Sequence, residues 1–127
     1  MQKVLAFALL AASVSPAAAI AADTADSNVQ SVDVAYEALS EGRTAEAIAS
    51  LDGSAAVQTS DPAALINLGT AYARQGRIAE ARAMFTAAAE SRERYSLEMA
   101  DGSWVDSRKV AKLALKNLEK SNGIAMR

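Results

Sequence analysis

Between Pro62 and Glu90 the large and small apolar residues fall at helical intervals along two successive stripes. Leu65, Leu68, Gly69 and Tyr72 stand at i, i+3, i+4 and i+7, one face of a helix. Gly76 interrupts the pattern, and Ala81, Phe85 and Ala88 resume it at spacings of four and three. The two stripes predict a helical hairpin. Gly69, Ala81 and Ala88 let its backbones approach, while Leu65, Leu68, Tyr72 and Phe85 fill the space between them. Upstream, Val29, Val32, Ala35, Tyr36 and Leu39 predict a helix between Asp23 and Ser40, capped by Asp26 or Ser27 and stopped at Gly42. A second helix starts near Thr44, carries Ala47, Ile48 and Leu51, and stops at Asp52-Gly53; residues 53–60 read as a loop or a frayed last turn.

After Glu90 the period changes. Tyr95, Leu97 and Met99 alternate with Ser96, Glu98 and Ala100; Asp101-Gly102 follows, then Ser103-Trp104-Val105. An Asp-Gly between alternating apolar residues predicts a small β-hairpin over 95–105. A two-residue turn at Asp101-Gly102 would pair Ala100 with Ser103 and set Met99 opposite Trp104. The competing reading continues the preceding helix to Ala100 and caps it with Gly102. Because a two-stranded hairpin is marginal alone, Trp104 is expected to pack on the helices in preference to stacking on a ligand. Asp106 or Ser107 then caps a closing helix over 107–120, with Val110, Leu113, Ala114 and Leu118 on its apolar face. Lys109, Lys112, Lys116 and Lys120 run along its other side. They read as the wet face of a capping helix; the functional alternative is contact with anionic lipid head groups or an acidic partner. Residues from Ser121 onward are expected to fray.

A second observation turns the hairpin into a repeat. Gly76-Arg77-Ile78-Ala79-Glu80-Ala81 has a counterpart 34 residues earlier, Gly42-Arg43-Thr44-Ala45-Glu46-Ala47, identical at five of six positions. Leu65, Leu68, Gly69, Tyr72, Gly76, Ala81, Phe85 and Ala88 together resemble the large/small signature of the tetratricopeptide repeat, whose unit is about 34 residues long. The resemblance covers Asn28 to Ser91. It implies a degenerate repeat over 28–61, where Ser31, Val34, Ala35 and Ala38 replace several larger residues, and a strong one over 62–94. Asp61-Pro62 resembles the family's repeat-ending pair, slightly late, and Glu93 stands where the family places a proline. The expected fold class is all-α, an α-solenoid of such helical hairpins within a domain spanning 23–120, with the small C-terminal β-hairpin and capping helix appended.

Met1–Ala22 reads differently. Lys3 supplies a positive start, Val4 to Val14 is apolar apart from Ser13, and Ala17-Ala18-Ala19 and Ala19-Ile20-Ala21 both suit a small-residue cleavage site. Residues 1–21 are therefore expected to be a secretory signal peptide, cleaved after Ala21 with Ala19 and Ala22 as alternatives, and the protein to reside in the periplasm. The apolar run is too short to span a membrane, which takes roughly 20 residues, and no other stretch is apolar enough.

Composition narrows the chemistry. The chain has no cysteine and no histidine, so disulfides, the usual zinc and haem sites, and Ser-His-Asp or Cys-His nucleophiles all lack their groups. No phosphate-binding glycine loop or calcium loop is present, and no spacing marks a pair of catalytic carboxylates. No cofactor, metal or catalytic residue is expected, and the protein is read as a non-enzyme. Hydrophobic residues make up 51% of the chain but many are alanine, which favours helix and leaves few large side chains for the core. Without Lys3 the basic count falls from 13 to 12 against 15 acids, a balance unsuited to nucleic acid. The charges are also unevenly spread. Asp23 to Asp61 holds eight acids and only Arg43, whereas Pro62 onward holds eleven basic residues against seven acids.

The family resemblance implies a concave face, lined by first helices, that holds a peptide segment or partner protein. Carried over by position, Ile66, Asn67, Thr70 and Arg74 of the strong repeat would face that groove, with Val32 and Tyr36 from the degenerate one. Only Asn67 has a counterpart in the family's clamp for C-terminal carboxylates, so that mode is not implied. The expected function is an envelope adaptor that binds another protein of the cell envelope. The alternative is a structural scaffold that associates with itself through its ends and has no separate ligand.

Overall fold

The computed structural model describes the backbone of residues 16–125 and the side chains of residues 28–124. Six helices and two short strands follow in the order α1 (Pro16–Ser40), α2 (Thr44–Leu51), α3 (Ala55–Gln58), α4 (Pro62–Arg74), α5 (Ile78–Glu90), β1 (Ser96–Glu98), β2 (Trp104–Asp106) and α6 (Ser107–Ala125). The charged and apolar parts of the expected signal peptide lie outside the described residues. Helix α1 starts earlier than the sequence pattern suggested, so Asp26 and Ser27 lie inside it instead of capping it. The alanine-rich run after Pro16 explains the extension, since alanine is the best helix former and proline is accommodated at a first helical position.

The two GR-x-AEA segments are built alike. Gly42 and Gly76 both sit in the left-handed region, at φ 77 and 75. Gly42 N–H donates to Leu39 and Arg43 N–H to Ala38, while Gly76 N–H donates to Ala73 and Arg77 N–H to Tyr72. Each pair of bonds closes a Schellman-type helix end that needs a residue without a Cβ at the turn. The arginines then open the second helices, and each pairs with the glutamate three residues on, Arg43 with Glu46 and Arg77 with Glu80. In the strong copy Arg77 also lies over the Tyr72 ring, 4.3 Å from its centroid. The degenerate copy has Ala38 at the position of Tyr72 and offers Arg43 no ring.

Leu68, Tyr72 and Phe85 share one buried cluster with Leu39, Leu51 and Leu65. At Gly69 the backbone of α4 comes close against α5. A Cβ placed there would stand 2.7 Å from the Phe85 ring and 3.2 Å from Met84 Cβ. The corresponding pair in the first repeat is Ala35 and Leu51, both fully buried. That repeat also breaks its second helix. Ser54 accepts from Val57 N–H and starts the single turn α3, so part of the expected loop over 53–60 is helical. Asp61 caps α4, accepting from Ala63 N–H at 2.8 Å and Ala64 N–H at 3.2 Å, with Pro62 as the first helical residue. Ser91 ends α5 two residues before Glu93, the position at which the resemblance implies a proline, and donates from its hydroxyl to the Ser60 carbonyl at 2.7 Å.

The strands form an antiparallel hairpin, but one residue out of the expected register. Ser96 faces Asp106, Leu97 faces Val105, and Glu98, in place of Met99, faces Trp104. Met99 N–H donates to Ser103 and Gly102 N–H donates to Met99, which closes a three-residue turn over Ala100, Asp101 and Gly102. A two-residue turn of the favoured type needs φ > 0 at both central residues. Here only Gly102 takes that conformation, at φ 79, while the Asp101 carboxylate accepts from Ser103 N–H and Oγ. The slip turns Trp104 outward, 67% exposed. It is not the packing anchor; Leu97 packs against the core instead.

The hairpin is held at its base by Tyr95, whose hydroxyl donates to Asp61 Oδ1 at 2.6 Å, and by Arg94, whose Nε donates to Asp106 at 2.5 Å. Burial, reinforced by the Asp61 carboxylate, pushes the Tyr95 phenol above its usual range. The Arg94 guanidinium holds Asp106 below the usual carboxylate range. Asp106 also caps α6, accepting from Arg108 and Lys109 N–H. This helix runs on past Lys120 to Ala125. It buries Ala111 and Leu118 and half-buries Val110, Ala114 and Leu115, but leaves Leu113 55% exposed, against expectation. Helix α6 packs on α5 and on α4, as α4 packs on α2 and α1, so it occupies the place of a first helix in a third unit.

Candidate functional site

Helices α4 and α6 do not close fully over α5, and a cleft of about 360 Å³ remains between them. Helix α4 contributes Thr70, Ala73 and Arg74, α5 contributes Ile78 and Phe85, and α6 contributes Ala114, Asn117, Leu118 and Ser121. The lining is mainly apolar, and Arg74 is the sole charged residue in it. Two of the polar groups are partly engaged within the protein: Thr70 Oγ1 donates to the Ile66 carbonyl at 2.8 Å, and Arg74 Nη1 donates to the Leu39 carbonyl at 2.6 Å. These bonds fix both side chains at the rim. Such a surface can bury apolar side chains and orient them with a few polar contacts.

The five residues expected to bind a partner do not lie together. Thr70 and Arg74 line the cleft. Ile66 is 8% exposed and belongs to the core, and Asn67 is half-buried; neither lines the cleft. Tyr36 is half-exposed and lines a separate depression with Asp33, where the hairpin tip brings Glu98, Met99, Ala100 and Gly102 up to α1. The hairpin therefore reaches from the start of α4, where Tyr95 meets Asp61, to the C-terminal part of α1. The α6 side of the cleft does not follow from the sequence reading of that helix, which is a cap with a basic stripe on its other side. Its signal was nevertheless present: Leu113, Asn117, Ser121 and Ile124 recur at spacings of four, four and three, a single stripe along a helix. Leu113 and Ile124, 55% and 67% exposed, stand at either end of that stripe.

A third depression lies at the joint between the repeats, lined by Thr59, Ser60, Ala87, Glu90, Ser91, Arg92 and Glu93. It is larger, but its walls carry charges of both signs, as expected of a solvated joint. Among the described residues no group of three or more acidic, histidine or cysteine side chains could hold a metal ion. No described helix is long and apolar enough to cross a membrane.

Residues 38–96 match the family model of the tetratricopeptide repeat. These residues belong to the tetratricopeptide repeat family. The matched segment runs from the end of α1 through the two GR-x-AEA turns to β1, so it contains α4 and α5 entirely. The tetratricopeptide repeat assignment carries with it the general role of a protein–protein interaction module. No curated protein and no solved structure matches the chain significantly.

Proposed function

We propose that the protein is an exported adaptor that seats a segment of a partner protein of the cell envelope in the cleft between α4 and α6. The observation that carries this reading is the coincidence of Thr70 and Arg74, groove positions of the strong repeat, with an open apolar floor made by Ala73, Ile78, Phe85 and Leu118. The matching occupant is a short segment whose apolar side chains reach the floor and whose flanking polar or acidic groups meet Thr70, Arg74, Asn117 and Ser121. Export is supported by the order of positive, apolar and small-residue stretches before Asp23. Cleavage after Ala21 would keep the part of α1 that buries Ala35, Ala38 and Leu39.

Two measurements test the proposal. A photo-crosslinking side chain at Asn117, within the cleft, is expected to capture a specific envelope protein in intact cells, and the same probe at the exposed Arg82 of α5 is not. Equal capture from both positions, or none from Asn117, refutes the cleft. The N-terminal sequence of protein recovered from the periplasmic fraction tests export: it is expected to start at Ala22, and an intact Met1 on protein confined to the cytoplasm refutes it.

A further inference from the structure

The first and last helices each keep an exposed side among the described residues, and the two sides are of opposite charge; the hairpin tip borders the α1 side at Asp33 and Tyr36 and leaves both exposed. On α1, away from the buried Ala35, Ala38 and Leu39, the exposed Val29, Val34 and Tyr36 are interleaved with Asp33 and Glu37. On α6, away from the buried Ala111 and Leu118, the exposed Leu113 and Ile124 are interleaved with Lys109, Lys112, Lys116 and Lys120. No ion pair among the described residues engages Asp33, Glu37 or any of these four lysines. The inner helices are covered differently. Helix α4 has α1 and α2 on one side and α5 and α6 on the other, whereas α6, standing where a third unit's first helix would, is followed by no second helix among the described residues.

We infer that a second copy of this chain covers these sides, the acidic α1 face of one molecule docking on the basic α6 face of the next. The contact is heterologous: it uses two different surfaces and leaves one of each free at the ends of every pair. It therefore builds open chains unless the rotation between copies closes a ring. Exposed apolar residues on both faces supply burial, and the opposed charges set the orientation and speed encounter. The lysines do not line the α4–α6 cleft, so this contact and the binding of a partner in the cleft stand or fall separately.

Sedimentation velocity of the full-length chain tests the inference. At low ionic strength the sedimentation coefficient is expected to rise with concentration and to fall back to the monomer value in high salt, because surface charges are screened there. Lys116→Glu with Lys120→Glu is expected to abolish the rise, as is Asp33→Lys with Glu37→Lys. An equimolar mixture of these two double variants is expected to sediment faster than either alone, because the intact acidic α1 face of the lysine variant meets the intact basic α6 face of the other. A wild-type chain that stays monomeric at all concentrations overturns the inference, and so does a mixture that behaves as two monomers. Co-sedimentation of a monomeric wild-type chain with phosphatidylglycerol vesicles, lost in the lysine variant, would assign the α6 face to lipid and overturn it as well.

Discussion

Arg74 Nη1 reaches back 35 residues to the Leu39 carbonyl, at 2.6 Å, and so ties the end of α4 to the end of α1. The position belongs to the groove by family pattern, yet one of its donors holds two repeats together. A groove residue with only a binding role could be replaced without thermal cost. Arg74→Ala is instead expected to lower stability by about 1 kcal/mol, toward the low end for a charge-assisted hydrogen bond because the side chain is exposed. For a domain of this size that corresponds to a fall of about 4–8 °C in Tm. A calorimetric scan showing an unchanged Tm would leave the bond without energetic weight.

In the strong repeat Gly69 meets Phe85, and the residues 34 positions earlier are Ala35 and Leu51. A methyl group at Gly69 would stand 2.7 Å from the Phe85 ring, and that ring is wedged in the core at 4% exposure. Gly69→Ala is therefore expected to cost about 1–3 kcal/mol by overpacking. Adding Phe85→Leu recreates the first repeat's pair and relieves the clash. The double variant should thus be more stable than the sum of the single losses predicts, by about 1 kcal/mol. Denaturant melts of the four proteins measure this coupling, and strict additivity would refute the crossing.

The repeat was legible because its signals are local and redundant. Gly76 and its copy Gly42 mark the turns, Asp61-Pro62 marks the start of α4, and the spacing of Leu65, Leu68, Tyr72 and Phe85 reports which sides are buried. The misread elements depend on choices that a periodicity does not encode. Asp-Gly was compatible with a two-residue turn, but a one-residue change in loop length moved Trp104 to the outer face of the hairpin, since strand faces alternate. Leu113 fits the apolar stripe of α6 by spacing, yet the helix is rotated so that Leu115 takes the partly buried place. Of the expected binding residues, Thr70 and Arg74 came out on the cleft because they lie near the end of α4, where α6 stands back. Ile66 and Asn67 lie a turn earlier, and Tyr36 faces the hairpin tip, whose reach across to α1 had no trace in the sequence.

Trp104 is the chain's single tryptophan, so its surroundings can be read directly. With 67% of the residue exposed and Glu98 opposite it, its fluorescence is expected to be that of a hydrated indole, readily quenched by acrylamide in the folded protein. Trp104→Ala should change stability by no more than about 0.5 kcal/mol, as for an ordinary surface site. Blue-shifted emission protected from quencher would instead place the ring on the helices and restore the register that sets Met99 opposite it.

The Tyr95–Asp61 hydrogen bond makes stability depend on alkaline pH. Burial, and then the neighbouring carboxylate, raise the Tyr95 phenol above its unfolded value of about 10. The folded chain therefore keeps the proton where the unfolded chain loses it. The contribution is complete below the unfolded pKa and is lost progressively as pH rises from there toward the folded value. Tyr95→Phe removes both the titration and the 2.6 Å bond to Asp61, so it should be less stable than wild type at neutral pH. The gap should narrow as pH climbs above about 10, because only the wild type pays an ionisation penalty there. Parallel melts of the two proteins at neutral and alkaline pH measure that gap, and a difference that stayed constant would mean that the Tyr95 phenol is not held by the fold.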